Sequence, residues 1–84
     1  MTVSRAAVVG APIGLHARPA SLFVQAVAAT GVRVSLTYGE RTVNAASILG
    51  VLSLGVPQGA EVVLESDDDR VLAPLVELIE SNFE

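Results

Sequence analysis

The 84-residue chain contains one histidine, His16, and it stands in the stretch Gly14-Leu15-His16-Ala17-Arg18-Pro19-Ala20. An imidazole titrates near pH 6.5, so around neutrality much of it is the unprotonated form that attacks a phosphoryl donor. Proline has a fixed φ and no N–H, which suits the first turn of a helix, where the amides lack intrahelical partners. The spacing therefore predicts a helix from residue 17 with His16 at its cap. At that cap the unpaired N–H groups of Ala17 and Arg18, the positive end of the helix and the Arg18 guanidinium are the parts of an anion site. The anion is a bound phosphate or a phosphoryl group carried on His16 itself. No carboxylate or second histidine stands beside His16 as a metal ligand or triad partner. One histidine with one arginine suits reversible carriage better than hydrolysis. Stripped of its neighbours, the same histidine reads only as a surface or capping residue.

Ser47 is the second chemically interesting position. A serine at a helix start accepts a hydrogen bond from an early amide, worth about 1 kcal/mol, which explains it without modification. The other reading is a regulatory phosphorylation site. In the helix it opens, Ile48, Leu49, Val51 and Leu52 are all apolar, more than one buried face of a short helix needs. With Ile48 and Val51 in the core, Leu49 and Leu52 face outward and form a docking surface beside the anion site. The alternative is a helix buried on more sides. Asp67-Asp68-Asp69 reads as a loop followed by acidic residues at the favourable end of the last helix, not as a metal site.

The elements that must position these residues follow from periodicity. Residues 2 to 9 read as a strand ending in Gly10-Ala11-Pro12, and the turn delivers the chain to His16. Ala20, Phe23, Val24 and Val27 make the buried stripe of the helix over 17–30, which Gly31 ends. Val32, Val34, Leu36 and Tyr38 alternate with polar residues as a strand covered on one side. Gly39-Glu40 forms a two-residue type II′ turn to a strand over 41–44. After the second helix, Gly55-Val56-Pro57-Gln58-Gly59 is a loop and residues 60–66 are a fourth strand. The last helix takes Val71, Leu72, Leu75, Leu78 and Ile79 as its stripe. Pro74 requires either a start close to residue 73 or a distorted first turn. The order β-α-β-β-α-β-α predicts an α+β fold, an antiparallel four-stranded sheet with three helices on one face.

Composition bounds the function. With 51% apolar and 17% charged residues the chain folds as one small domain. A net charge of −4, and five arginines scattered along the chain, exclude a nucleic-acid surface. There is no cysteine for disulfides or thiolate metal sites. The opening Met1-Thr2-Val3-Ser4-Arg5 lacks the apolar core of a signal peptide. The longest nearly apolar run, residues 47–56, falls well short of the roughly 20 residues that cross a bilayer. A cytoplasmic protein without membrane insertion is expected.

Gly14-Leu15-His16-Ala17-Arg18-Pro19-Ala20 resembles the active-centre signature of the HPr family, the histidine-containing phosphocarriers of the bacterial phosphoenolpyruvate-dependent sugar phosphotransferase system. Val43-Asn44-Ala45-Ala46-Ser47-Ile48-Leu49-Gly50-Val51-Leu52-Ser53-Leu54-Gly55 resembles the family's second-helix region, with Ser47 where many members carry a regulatory serine. The resemblance spans the chain as a single domain over 1–84. It implies an open-faced β-sandwich of βαββαβα order. It also implies that His16 accepts a phosphoryl group on Nδ1 from the first enzyme of the system and passes it to sugar-specific IIA components. Arg18 and the amides of Ala17 and Arg18 would stabilise that group. No cofactor is implied, a serine kinase is a further partner, and a monomer is expected. Three departures stand out: Ile13 where many members have Asn or Ser, Ala46 where many have Lys, and no lysine at all. A regulatory relative serving a nitrogen-related branch shares the same His16, and a small-ligand regulatory domain of similar order is the reading from another class.

Overall fold

The computed structural model describes residues 1–81. Its elements are β1 (Val3–Val8), α1 (Ala17–Thr30), β2 (Val34–Tyr38), β3 (Arg41–Asn44), α2 (Ile48–Leu54), β4 (Glu61–Ser66) and α3 (Asp69–Glu80), the expected βαββαβα order. The four strands form one sheet in the order β1-β4-β2-β3, every neighbouring pair antiparallel. The last strand in sequence thus lies between the first two, which brings the ends of β1 and α3 together beside the turn that leads to His16.

Alternation along the strands separates two faces. Ala7, Val62, Leu64, Val34 and Leu36 point into the core and are buried. Ser4, Ala6, Glu61, Glu65, Ser35 and Thr37 occupy the other face, exposed or half-buried, where the hydroxyls of Thr37 and Thr42 meet at 2.8 Å across β2 and β3. On the covered side α3 packs on β1 and β4, α2 packs on β3, and α1 packs against α2 and α3. Phe23, Val27 and Ala20 of α1 and Leu72 and Ile79 of α3 share this core. A fully buried Phe or Ile side chain contributes about 1.5–3 kcal/mol relative to exposure, so the core stripes, not helix propensity, hold these short elements.

Several element boundaries are decided by caps. Gly31, with φ 68°, ends α1 where expected, and the Thr30 hydroxyl accepts a hydrogen bond from Val32 N at 3.1 Å. That local bond keeps Val32, expected in β2, outside the strand. The hairpin at Gly39-Glu40 has the expected positive φ at its first residue, 61° at Gly39. Of the two readings of Pro74, a start near residue 73 does not hold and a distorted first turn does: the helix begins at Asp69 and contains Pro74. Its start lies earlier because Asp68 caps it, accepting from Arg70 N at 3.0 Å, while Ser66 Oγ accepts from Asp68 N at 3.2 Å. The first turn is tightened by a bond from Val71 N to Asp68 O at 3.3 Å. Pro74 and Arg70 are both exposed, so water can reach the Arg70 carbonyl that proline leaves without a donor. Asp69 stands in the first turn and accepts both Nε and Nη2 of Arg5, so the aspartate run serves this helix end as its sequence suggests.

Candidate functional site

His16 is the N-cap residue of α1, with extended backbone (φ −131°, ψ 165°), and its side chain makes no capping hydrogen bond. The imidazole is half-buried and, among the described residues, has no hydrogen-bond partner. Its carbonyl accepts the first helical bond, from Ala20 N at 3.4 Å. The amides of Ala17 and Arg18 have no acceptor among the described residues, as expected for the first turn. The Arg18 side chain is exposed and unpaired there as well. One turn therefore gathers a free imidazole, two open N–H donors, the positive end of a 14-residue helix and a free guanidinium. Such an arrangement has the chemistry to cradle a dianion.

Ala17 is the one non-glycine residue with positive φ among those described, at 47°. An L-residue pays on the order of 1–2 kcal/mol for this backbone, so the surroundings must hold it there. Two anchors do so. Pro19 and Ala20 are buried on the helix side. On the loop side Leu15 is fully buried and its N–H donates to Val56 O at 2.9 Å. Gly14, with φ 79°, lies so close to Val56 that an added Cβ would fall on the Val56 carbonyl oxygen. The loop after α2 therefore clamps the loop before α1. Sequence reasoning did not assign Val56 this role; the only signal was Gly14, whose need for glycine has two causes, backbone sign and space.

Ser47 caps α2 as its position predicts: it is half-buried, and its Oγ accepts from Gly50 N at 3.1 Å. Of the apolar residues in α2, Val51 and Leu54 turn inward. Leu49 is 78% and Leu52 36% exposed, as expected, but Ile48, expected in the core, is 38% exposed. At about 100° per residue each three-residue step drifts by about 60°, so Ile48 is turned roughly 120° from Leu54 and leaves the inward row. The outward apolar surface of α2 is therefore three side chains wide, and Ile13 on the His16 loop is 55% exposed. Arg41 holds α2 to β3, its Nη1 donating to Ser53 O at 2.9 Å and its Nη2 to Ser53 Oγ at 3.1 Å.

The cations are distributed unevenly. Arg5 is paired with Asp69, Arg70 with Asp68, and Arg41 is committed to Ser53. Of the five arginines, Arg18 and Arg33 alone have no partner among the described residues, and only Arg18 belongs to the His16 turn. Among the described residues no group of three His, Asp or Glu could hold a metal ion. No helix there is long and apolar enough to cross a membrane.

Comparison with known proteins gives matches over most of the chain. Residues 3–81 match the family model described as PTS HPr component phosphorylation site. The phosphocarrier protein HPr of Streptomyces coelicolor is 52% identical over 71 residues, covering 83% of this chain and 76% of the relative. The crystal structure of the phosphocarrier HPr of Bacillus anthracis superposes with a TM-score of 0.89 at 30% identity, over 93% of this chain and 96% of that one. An HPr structure from Thermoanaerobacter tengcongensis also gives 0.89, at 39% identity, over 96% and 94% of the two chains.

Proposed function

We propose, because this chain belongs to the HPr family of phosphocarriers of the phosphotransferase system, that His16 is the residue on which its phosphoryl group travels. The family relays that group from the phosphoenolpyruvate-dependent enzyme I to IIA components, acting as a stoichiometric carrier and not as an enzyme. The observation that supports His16 is its unpartnered imidazole at the cap of α1, beside the open amides of Ala17 and Arg18. A ring nitrogen, Nδ1 by family resemblance, attacks phosphorus with its lone pair. The bond from phosphorus to the donor breaks with its electron pair leaving to the donor, and the other ring nitrogen keeps its proton. The two amides, the helix end and the Arg18 guanidinium then stabilise the phosphoryl dianion through donors already in place. Reversal of the same displacement hands the group to the acceptor. A single free arginine keeps the stabilisation modest, which a carrier requires.

Ile48, Leu49 and Leu52 are the docking surface in this reading, an exposed apolar patch one helix away from the site. The partners proposed for it are enzyme I and sugar-specific IIA components. In this reading the chain acts as a monomer, and phosphoenolpyruvate is made in the cytoplasm, where we place the relay. Ser47 is the proposed regulatory position: a phosphate of about −2 charge there would replace the hydroxyl that caps α2 and put charge beside the apolar patch.

The test is intact mass after incubation with phosphoenolpyruvate and a phosphotransferase enzyme I, on the parent and on His16→Ala. The expected result is one phosphate on the parent alone, lost in mild acid as a phosphoramidate is. A parent that gains nothing, while a control carrier in the same tube is phosphorylated, would sink the reading.

A further inference from the structure

We propose that Gly10 is a positioning residue for phosphoryl transfer: it admits the C-terminal turn of α3 against the backbone that leads to His16, and this contact sets where His16 and Ala17 stand. The proposal rests on His16 as carrier. Gly10 is not among the glycines with positive φ, so glycine is needed here for space and not for backbone sign. An added Cβ would fall on the Glu80 carbonyl oxygen, with the Glu80 carbonyl carbon at 2.7 Å and Ser81 O at 2.9 Å. All three are backbone atoms, which cannot swing aside as a side chain would. The contact is also bonded: Gly10 N donates to Ile79 O at 3.0 Å, and two residues earlier Val8 N donates to the Glu80 carboxylate at 3.0 Å.

From Gly10 the chain to His16 has little slack. Gly14 N donates to Ala11 O at 2.9 Å and Leu15 N to Val56 O at 2.9 Å, while Ala11 and Leu15 are fully buried. On the far side of Gly10 its carbonyl accepts from Gln58 Nε2 at 3.2 Å. A side chain at Gly10 must therefore displace either the end of α3 or this segment. Ile79 is fully buried in the core, which resists movement of the helix. The segment moves, and Ala17, already held in an unfavourable backbone by that segment, moves with it.

The experiment compares Gly10→Ala with Gly31→Ala. Gly31 ends α1 at the opposite end from His16, with φ 68° and no atom within 4 Å of an added Cβ, so its alanine variant is strained without touching the site. Both variants are examined at a temperature where circular dichroism shows them folded. The readouts are the steady-state kinetics of phosphorylation by enzyme I and the nitrogen–proton resonances of the Ala17 amide and the His16 ring without phosphate. Gly10→Ala is expected to lower kcat on the order of tenfold with KM unchanged, and to shift both resonances, since small misplacements of reacting groups are costly. Gly31→Ala is expected to lose stability alone. Parent kinetics and unmoved resonances in Gly10→Ala, or equal slowing in Gly31→Ala, overturn the proposal. Should Gly10→Ala not fold, Glu80→Ala frees Val8 N without crowding, and an unmoved Ala17 amide in that variant overturns it as well. A parent that accepts no phosphate speaks against the carrier reading, whereas the resonances in the unphosphorylated protein judge the contact by itself.

Discussion

Leu15 N–H and Val56 C=O, 2.9 Å apart, join the loop before α1 to the loop after α2. The bond lies one residue from His16, so the His16 turn and α2 are fixed to each other through two buried residues, Leu15 and Val56. Gly14→Ala would force both a left-handed alanine and a collision with the Val56 carbonyl. The expected cost is about 1–3 kcal/mol, read as a lowered urea midpoint with an unchanged slope. A midpoint equal to the parent's would show that the two loops are not held together at this bond.

Arg18 is the one unpaired cation of the His16 turn, but the open amides of Ala17 and Arg18 survive its truncation. Arg18→Ala is expected to slow phosphorylation by roughly tenfold without abolishing it, the size of one hydrogen bond to a charged group. Stopped-flow or quench-flow transfer from enzyme I measures this. Unchanged rates would remove Arg18 from the site.

The chain has no lysine and three of its five arginines are committed within the fold, so in the proposed reading docking rests on apolar contact. Raising the salt from about 0.05 M to 0.5 M should change the second-order transfer rate by less than about threefold, because screening acts on exposed charge and not on apolar burial. Leu52→Asp should raise KM instead. A steep fall of the parent's rate with salt would contradict apolar docking.

Capping and docking separate at Ser47. Ser47→Ala leaves Gly50 N without its acceptor and should cost about 1 kcal/mol in thermal or urea unfolding while transfer stays normal. Ser47→Asp keeps an acceptor at the cap, so stability is expected to hold while the added charge beside the apolar patch weakens docking to enzyme I. Equal KM values for Ser47→Asp and the parent would count against the patch.

Hydrogen bonds from the Arg70 side chain, and then from its backbone N–H, hold the Asp68 carboxyl below the usual carboxylate range, while Asp68 raises Arg70 in return. A carboxyl depressed in the folded state binds its proton less readily than in the unfolded chain, so its contribution is complete above the unfolded value near 3.9 and fades as pH falls through the folded one. The difference in melting temperature between parent and Asp68→Asn should therefore be constant near neutrality and shrink below about pH 4. A difference that stays the same down to pH 2.5 would mean that the charge of Asp68 adds nothing to its cap.

Much was legible in the sequence because its causes are local. The proline just after His16, the stripe of Ala20, Phe23 and Val27, and Gly31 mark α1 from end to end, and they put the open amides at the histidine before any tertiary contact is considered. Ser47 likewise announces its cap, and the heptapeptide around His16 carries the family. Ile48 was not legible, because whether a residue at the end of a two-turn helix is covered depends on how the helix is rotated over the sheet, and Val51 and Leu54 fix that rotation. Nor did Pro74 mark the start of α3, which Asp68 and Ser66 determine by capping. The central place of β4, the bond from Leu15 to Val56 and the seat of Gly10 against the end of α3 join residues far apart in the chain. Periodicity and capping act over a few residues, so they determine elements and expose chemistry. Which elements meet is set by burial of their faces together, and only the folded chain does that.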